Sequence, residues 1–211
     1  MPQTPKFRRR PTARPDEVLD AALDLFIERG FAMTRVEDIA ERAGISKGAV
    51  YLYFPNKEAL IEAIVKRALV PVAENVAALA KNLSGDPAED IVRMIQLVGG
   101  RLGDQRTAAV PRLILSEAKL FPELAAIYRR EILDRGLAAG KIVLERGMQS
   151  GRFRRIDPDH AVRAVVGPLI ANLILFQVFG LGSAEREAQE SFLRSHVDIL
   201  MNGLLREKDD E

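Results

Sequence analysis

Between Pro15 and Leu205 apolar residues return every three or four positions. No window alternates apolar with polar residues in the β-branched pattern of a strand. This regularity confines the chain to an all-α fold, in which each helix buries one stripe against its neighbours. Val18, Ala22, Leu25 and Phe26 mark the inner face of a first helix, opened by Pro15 and stopped by Gly30. Thr34 is expected to cap a short second helix, with Glu37 completing a capping box and Gly44 ending it. Ser46 caps a third short helix, closed by Pro55, and Asn56 caps a long fourth one from about Lys57, which Pro71 interrupts or kinks. Later helices are predicted from Asp86-Pro87 to about Leu102, from Gln105 to Leu120 with Pro111 disturbing its start, and from Pro122 to about Met148. Two more run from Asp157-Pro158 to about Phe179 and from a Ser183 cap to about Leu205, about nine in all.

Composition narrows the function classes. Cysteine is absent, which excludes a disulfide scaffold, a zinc ribbon and a thiol nucleophile. His160 is expected to be solvated or capping and His196 to lie at a subunit surface; neither has a second His or paired carboxylates at i+4, so no metal site is expected. Gly99-Gly100-Arg101-Leu102-Gly103 follows no strand and fits neither a dinucleotide fingerprint nor a phosphate loop. The chain is therefore not expected to be an enzyme, and no cofactor is implied.

Thirty-one basic against 30 acidic residues give a net charge of +1, which argues against a uniformly basic coat for nucleic acid. The local distribution says more: the first 14 residues hold five positive charges and no negative one. Residues 1–13 read as a flexible basic arm and 207–211 as a frayed tail. No apolar signal stretch opens the sequence, and the expected compartment is the cytoplasm. Ala164 to Ala184 is an uncharged run of 21 residues, long enough for a membrane span. Its Asn172, Gln177, Pro168 and glycines favour a buried or interface helix, so no membrane partner is expected.

Two helices of this length joined by Gly44-Ile45 form a helix-turn-helix pattern over about 35–54, although periodicity alone also allows a plain helical hairpin. A short second helix can lie in the major groove of DNA. Here it would offer Ser46, Lys47, Gly48, Ala49, Tyr51 and Leu52, small near its start and larger further on. Thr34, Arg35, Tyr51 and Lys57 would stand around the rim, where hydroxyls and cations bind phosphates.

The ungapped run Gly30 to Leu60 resembles the DNA-binding signature of TetR-family (AcrR-like) transcriptional regulators. The matching elements are Gly30-Phe31, Thr34, Ile39-Ala40, Ala43-Gly44-Ile45-Ser46, Gly48, Tyr51, Tyr53-Phe54, Lys57-Glu58 and Leu60. Ser116 to Leu124 is similar to part of the ligand-binding half of some multidrug-efflux regulators. The resemblance implies a DNA-binding domain at 14–60 and an effector-binding and dimerisation domain at 61–206. It also implies a homodimeric one-component regulator, a repressor released from a palindromic DNA operator by a small apolar or amphipathic effector. It puts Ser46, Lys47, Gly48, Ala49, Tyr51 and Leu52 on the recognition helix, and Thr34, Tyr51 and Lys57 at phosphates. Leu52 departs from the family, which often has His there, and leucine can give a base only apolar contact.

Val165, Leu169 and Leu173, then Phe192, Val197, Leu200 and Leu204, are the expected dimer interface, two helices from each chain making a four-helix contact. Polar residues inside otherwise apolar helices are the expected effector contacts: Arg101, Arg112, Ser116, Glu117, Tyr128, Asn172 and Gln177, with Phe176 beside them. Each also has a plainer reading as a structural or interface hydrogen bond. An architectural DNA-binding protein without an effector is the second reading of the whole chain.

Overall fold

The computed structural model describes residues 14–182 and 185–205, except the side chains of Arg14, Gln177 and Val178. The expected arm at 1–13, the Ser183 cap and the tail at 207–211 lie outside the described residues. The described residues are helical apart from turns and one isolated bridge between Phe153 and Leu205. They fall into two compact units, one ending at Ile64 and the other beginning at Val65.

The first unit holds α1 (Arg14–Arg29), α2 (Val36–Arg42), α3 (Lys47–Tyr53) and the start of α4 (Lys57–Lys81). Its interior is the α1 stripe of Val18, Ala22, Leu25 and Phe26, met by Phe31, Ile39, Val50 and Leu60, all buried. The Phe26 and Phe31 rings lie 5.2 Å apart and tilted by 51°. Arg42 locks α2 to α1 through a bidentate pair with Glu28, at 2.7 and 2.8 Å.

One predicted cap is corrected. Arg35, not Thr34, is the N-cap of α2, and its backbone N–H donates to Asp38 Oδ2 at 3.3 Å. Thr34 turns inward and is buried; its hydroxyl lies 2.8 Å from the Gly30 carbonyl and 3.2 Å from that of Leu25. The helix therefore starts one residue later, and Asp38 takes the place expected of Glu37. The other end follows glycine chemistry. Gly44 has φ +67°, its N–H reaches the Glu41 carbonyl, and the Ile45 N–H reaches that of Ala40 at 2.9 Å. This Schellman turn needs the left-handed conformation that glycine adopts at little cost.

The second unit contains the rest of α4, α5 (Pro87–Leu102) and α6 (Gln105–Glu117). It continues with α7 (Pro122–Tyr128), a π-helical segment (Arg129–Leu133) and α8 (Asp134–Gln149), which form one uninterrupted rod. Then follow α9 (Pro158–Phe179) and α10 (Arg186–Leu204). With that rod counted once, the described residues make nine continuous helices. α4 passes Pro71 without a break, and α6 carries Pro111 well inside it rather than at its start. Asp86, Asp104 and Asp157 cap α5, α6 and α9. Val76, Ile91, Ile95, Val143, Leu144 and Val165 lie in its core. Close packing is tightest at Gly147, where a Cβ would lie 2.0 Å from the buried Phe153 ring.

α9 is long and apolar enough to cross a membrane by length and composition. One of its faces is in the core, through Val162, Val165, Leu169 and Leu173, while Ala164, Gly167, Ala171 and Leu175 are exposed.

Candidate functional site

α3 is held at both ends and presents one side. Ser46 Oγ accepts the Ala49 N–H at 3.2 Å, and Pro55 follows the C-cap Phe54. Val50 is fully buried and Phe54 nearly so, which turns Lys47, Gly48, Tyr51, Leu52 and Tyr53 outward. Ala49 is half-buried. Leu52 is 84% exposed, a large apolar side chain with nothing in the subunit to cover it. A Cβ at Gly48 would meet nothing within 4 Å, so the backbone there lies open to an approaching surface. This shape, small near the start and apolar or phenolic further on, suits the floor of a major groove with thymine methyls and phosphates within reach.

The cations around α3 are partly committed. Lys47 pairs with Glu37 of α2, which raises the lysine's pKa and lowers the carboxylate's, and its Nζ lies 5.8 Å from the Tyr51 ring centroid. Arg35 is exposed at the start of α2. Lys57, expected at phosphates, makes its hydrogen bonds inside the first unit. Its ammonium donates to the carbonyls of Phe31 at 2.5 Å, Ala32 at 3.2 Å and Thr34 at 3.2 Å. It also lies 4.4 Å from the Phe31 ring centroid. An ammonium has three donors, and three carbonyls use them. Lys57 thus fastens the loop before α2, and the buried Thr34 fastens the same loop from inside. Both the hydroxyl and the ammonium are thus engaged within the first unit.

The second unit encloses a cavity with about 910 Å³ of space not filled by atoms, part of it open to solvent. α4, α5, the π-helical segment, α8 and α9 all line it, and the lining is almost wholly aliphatic. Of the expected effector contacts, Arg101 and Tyr128 are here. Burial pushes the Tyr128 phenol up to about 12, so it stays a hydrogen-bond donor. Arg112 and Ser116 line a separate recess beside Leu173 and Ile174, and the Ser116 hydroxyl is spent on the Leu113 carbonyl at 2.9 Å. Asn172 and Phe176 line a third recess, where Asn172 donates to Gln189 of α10 at 3.2 Å. Glu117 lines none of these three, and the Gln177 side chain lies outside the described residues. Polar residues drew the sequence-based expectation, whereas aliphatic residues and glycines such as Gly136 form this cavity. The small residues of α8 were the available signal.

The expected dimer residues differ in how far one chain covers them. Val165, Leu169, Leu173 and Leu204 are at most 5% exposed within one chain, and Phe192, Val197 and Leu200 pack half-buried against the same core. The uncovered apolar positions are their neighbours: Ala164, Gly167, Ala171 and Leu175 on α9, Phe179 at its end, and Ile199 on α10. His196, expected at a subunit surface, is buried, with Nε2 2.9 Å from the Val165 carbonyl and its ring stacked on Phe192. His160 is exposed.

Comparison with known proteins agrees with this geometry. Residues 18–64 match the family described as bacterial regulatory proteins, tetR family, and residues 83–178 match a tetracyclin repressor-like C-terminal domain. The chain is 28% identical over 204 residues to the uncharacterized HTH-type transcriptional regulator YdeS of Bacillus subtilis, covering 95% of this chain and 92% of that one. It is 30% identical over 161 residues to the HTH-type transcriptional regulator RutR of Escherichia coli, covering 75% of this chain and 73% of RutR. The structure of SmeT, the repressor of the Stenotrophomonas maltophilia multidrug efflux pump SmeDEF, superposes with a TM-score of 0.74 at 24% identity, over 93% of both chains. The chain belongs to the TetR family: it is a transcriptional regulator with an N-terminal helix-turn-helix and a helical C-terminal domain.

Proposed function

We propose that this regulator is a repressor that binds a palindromic operator as a homodimer and leaves it when a small apolar or amphipathic effector enters the α4–α9 cavity. The observation that carries the DNA reading is the outer face of α3, with Gly48 open and Leu52 uncovered. Ser46, Lys47, Gly48, Ala49, Tyr51 and Leu52 meet DNA in this reading, and Arg35 reaches a flanking phosphate. Thr34 and Lys57 position the motif without touching DNA. Residues 14–60 form the DNA-reading domain and 61–206 the effector and dimer domain, acting in the cytoplasm.

One seven-residue helix reads too few bases for a unique site. Two copies about 34 Å apart read a palindrome. The uncovered small and apolar positions Ala164, Gly167, Ala171, Leu175 and Ile199 support pairing of α9 and α10 with their symmetry mates. The cavity is lined by Leu69, Val72, Ala73 and Val76 of α4, and the same continuous helix begins at Lys57. An effector pressing on α4 changes the spacing of the two reading helices. A coupling of about 1–3 kcal/mol then lowers operator occupancy roughly 5- to 150-fold.

Selection of bound fragments from random DNA tests the reading, with an inverted repeat of one-turn half-site spacing expected. Recovery of no preferred sequence, or light scattering at one chain mass, rejects it.

A further inference from the structure

Both polar side chains that line the α4–α9 cavity are donors. Arg101 carries a permanent cation, and Tyr128 carries a phenol that stays protonated. No carboxylate, amide or aliphatic hydroxyl shares the lining. The Tyr128 hydroxyl has no hydrogen-bond partner among the described residues, and Arg101 has no carboxylate within ion-pair distance there. The remaining lining is aliphatic or glycine apart from Met94, and Gly136 keeps one stretch of the wall open.

A ligand that fills this space must bring an aliphatic body for the walls and an acceptor for the two donors. A cation finds no counter-charge in the lining and meets a guanidinium instead. A sugar or nucleobase leaves most of its own polar groups unpaired against aliphatic walls. From the cavity proposed above as the effector site, we infer that the effector is a long-chain amphiphile with one anionic, carboxylate-type head, held by Arg101 and Tyr128. The inference rests on that reading of the cavity and adds the chemical class, which distinguishes this regulator from one that senses cationic lipophiles.

The test is calorimetric titration of the full-length chain, without DNA, using dodecanoate, decanoate, dodecanol and dodecyltrimethylammonium below their micelle concentrations. Dodecanoate should bind about 10- to 15-fold more tightly than decanoate, as two buried methylenes require. Dodecyltrimethylammonium should not bind. Arg101→Gln should weaken dodecanoate about tenfold or more and leave dodecanol unchanged, while Tyr128→Phe should weaken both about three- to tenfold. Arg101 is exposed, so its variants should keep the fold. Arg101→Glu should reverse the preference towards the ammonium. Absence of dodecanoate binding, equal binding of the ammonium, or indifference of dodecanoate to both Arg101 variants overturns the inference. Gel shifts on the selected operator are read separately. Carboxylate binding without operator binding removes the repressor reading and keeps the ligand class. Release from the operator by the ammonium alone does the reverse.

Discussion

Lys57 meets Phe31 twice: its Nζ donates to the Phe31 carbonyl at 2.5 Å and lies 4.4 Å from the centroid of the same residue's ring. With the Ala32 and Thr34 carbonyls as the other acceptors, this lysine is a clamp on the loop before α2. Lys57→Ala should destabilise the first unit by on the order of 1–2 kcal/mol, because it removes three hydrogen bonds from a charged donor to loop carbonyls, two of them part-buried. Operator affinity should fall for every sequence alike while the salt slope stays unchanged. A phosphate contact would instead reduce that slope by about one. Denaturant titration with salt-dependent gel shifts separates the two.

Gly48 offers a sharper separation of folding from binding. A methyl group there meets nothing within 4 Å, so Gly48→Ala should raise stability by about 0.5–1 kcal/mol through helix propensity. The same methyl would stand between α3 and the groove floor. The expected result is a higher melting temperature with weaker operator binding.

The proposed interface and the core are adjacent on α9 and should respond differently. Leu173→Ala removes a 5% exposed side chain and should cost about 2–5 kcal/mol. Leu175→Glu and Ile199→Glu alter exposed positions, at 44% and 71%, and should leave the monomer folded while abolishing the dimer. Light scattering and thermal unfolding on the three variants check this pattern.

Gly147→Ala places a methyl within 2.0 Å of Phe153, a ring enclosed on all sides. Destabilisation of about 1–3 kcal/mol is expected despite alanine's better helix propensity. Phe153→Leu in the same chain should recover part of it, as urea midpoints would show.

Three caps contribute to the acid limit of the second unit, beside the ion-paired Glu131 and Glu190. Asp86, with the Ala88 N–H as its first cause, Asp104, through Thr107, and Asp157, through the His160 and Asp159 N–H groups, all have lowered pKa values. A depressed carboxylate contributes in full above its unfolded value of about 3.9. That contribution is lost as pH falls through the lower folded value. Stability should therefore be flat from neutral pH down to about 5 and fall below about 4. In Asp104→Asn or Asp157→Asn the acid-side fall should be shallower, which denaturant melts across that range would reveal.

The sequence alone determined what local chemistry controls. Helical periodicity set the class, and Gly44, Ser46, Pro55 and Pro158 placed helix ends, because turn and cap preferences act within a few residues. The order of residues from Gly30 to Leu60 carried the family, since a helix-turn-helix is a local motif. Tertiary structure decided which side of an all-apolar helix faces inward. A helix that is apolar all round has no amphipathic stripe to read, so Leu173 and Leu175 look alike until the neighbouring helices α5, α6 and α10 cover one and leave the other exposed. It also decided the fate of long polar side chains. Lys57 and Thr34 are separated by 23 positions, and only packing brings the ammonium to the loop carbonyls that Thr34 also braces. The cavity emerged the same way, from four continuous helices that do not close on one another, its two donors marked by position where their residue type had been ambiguous.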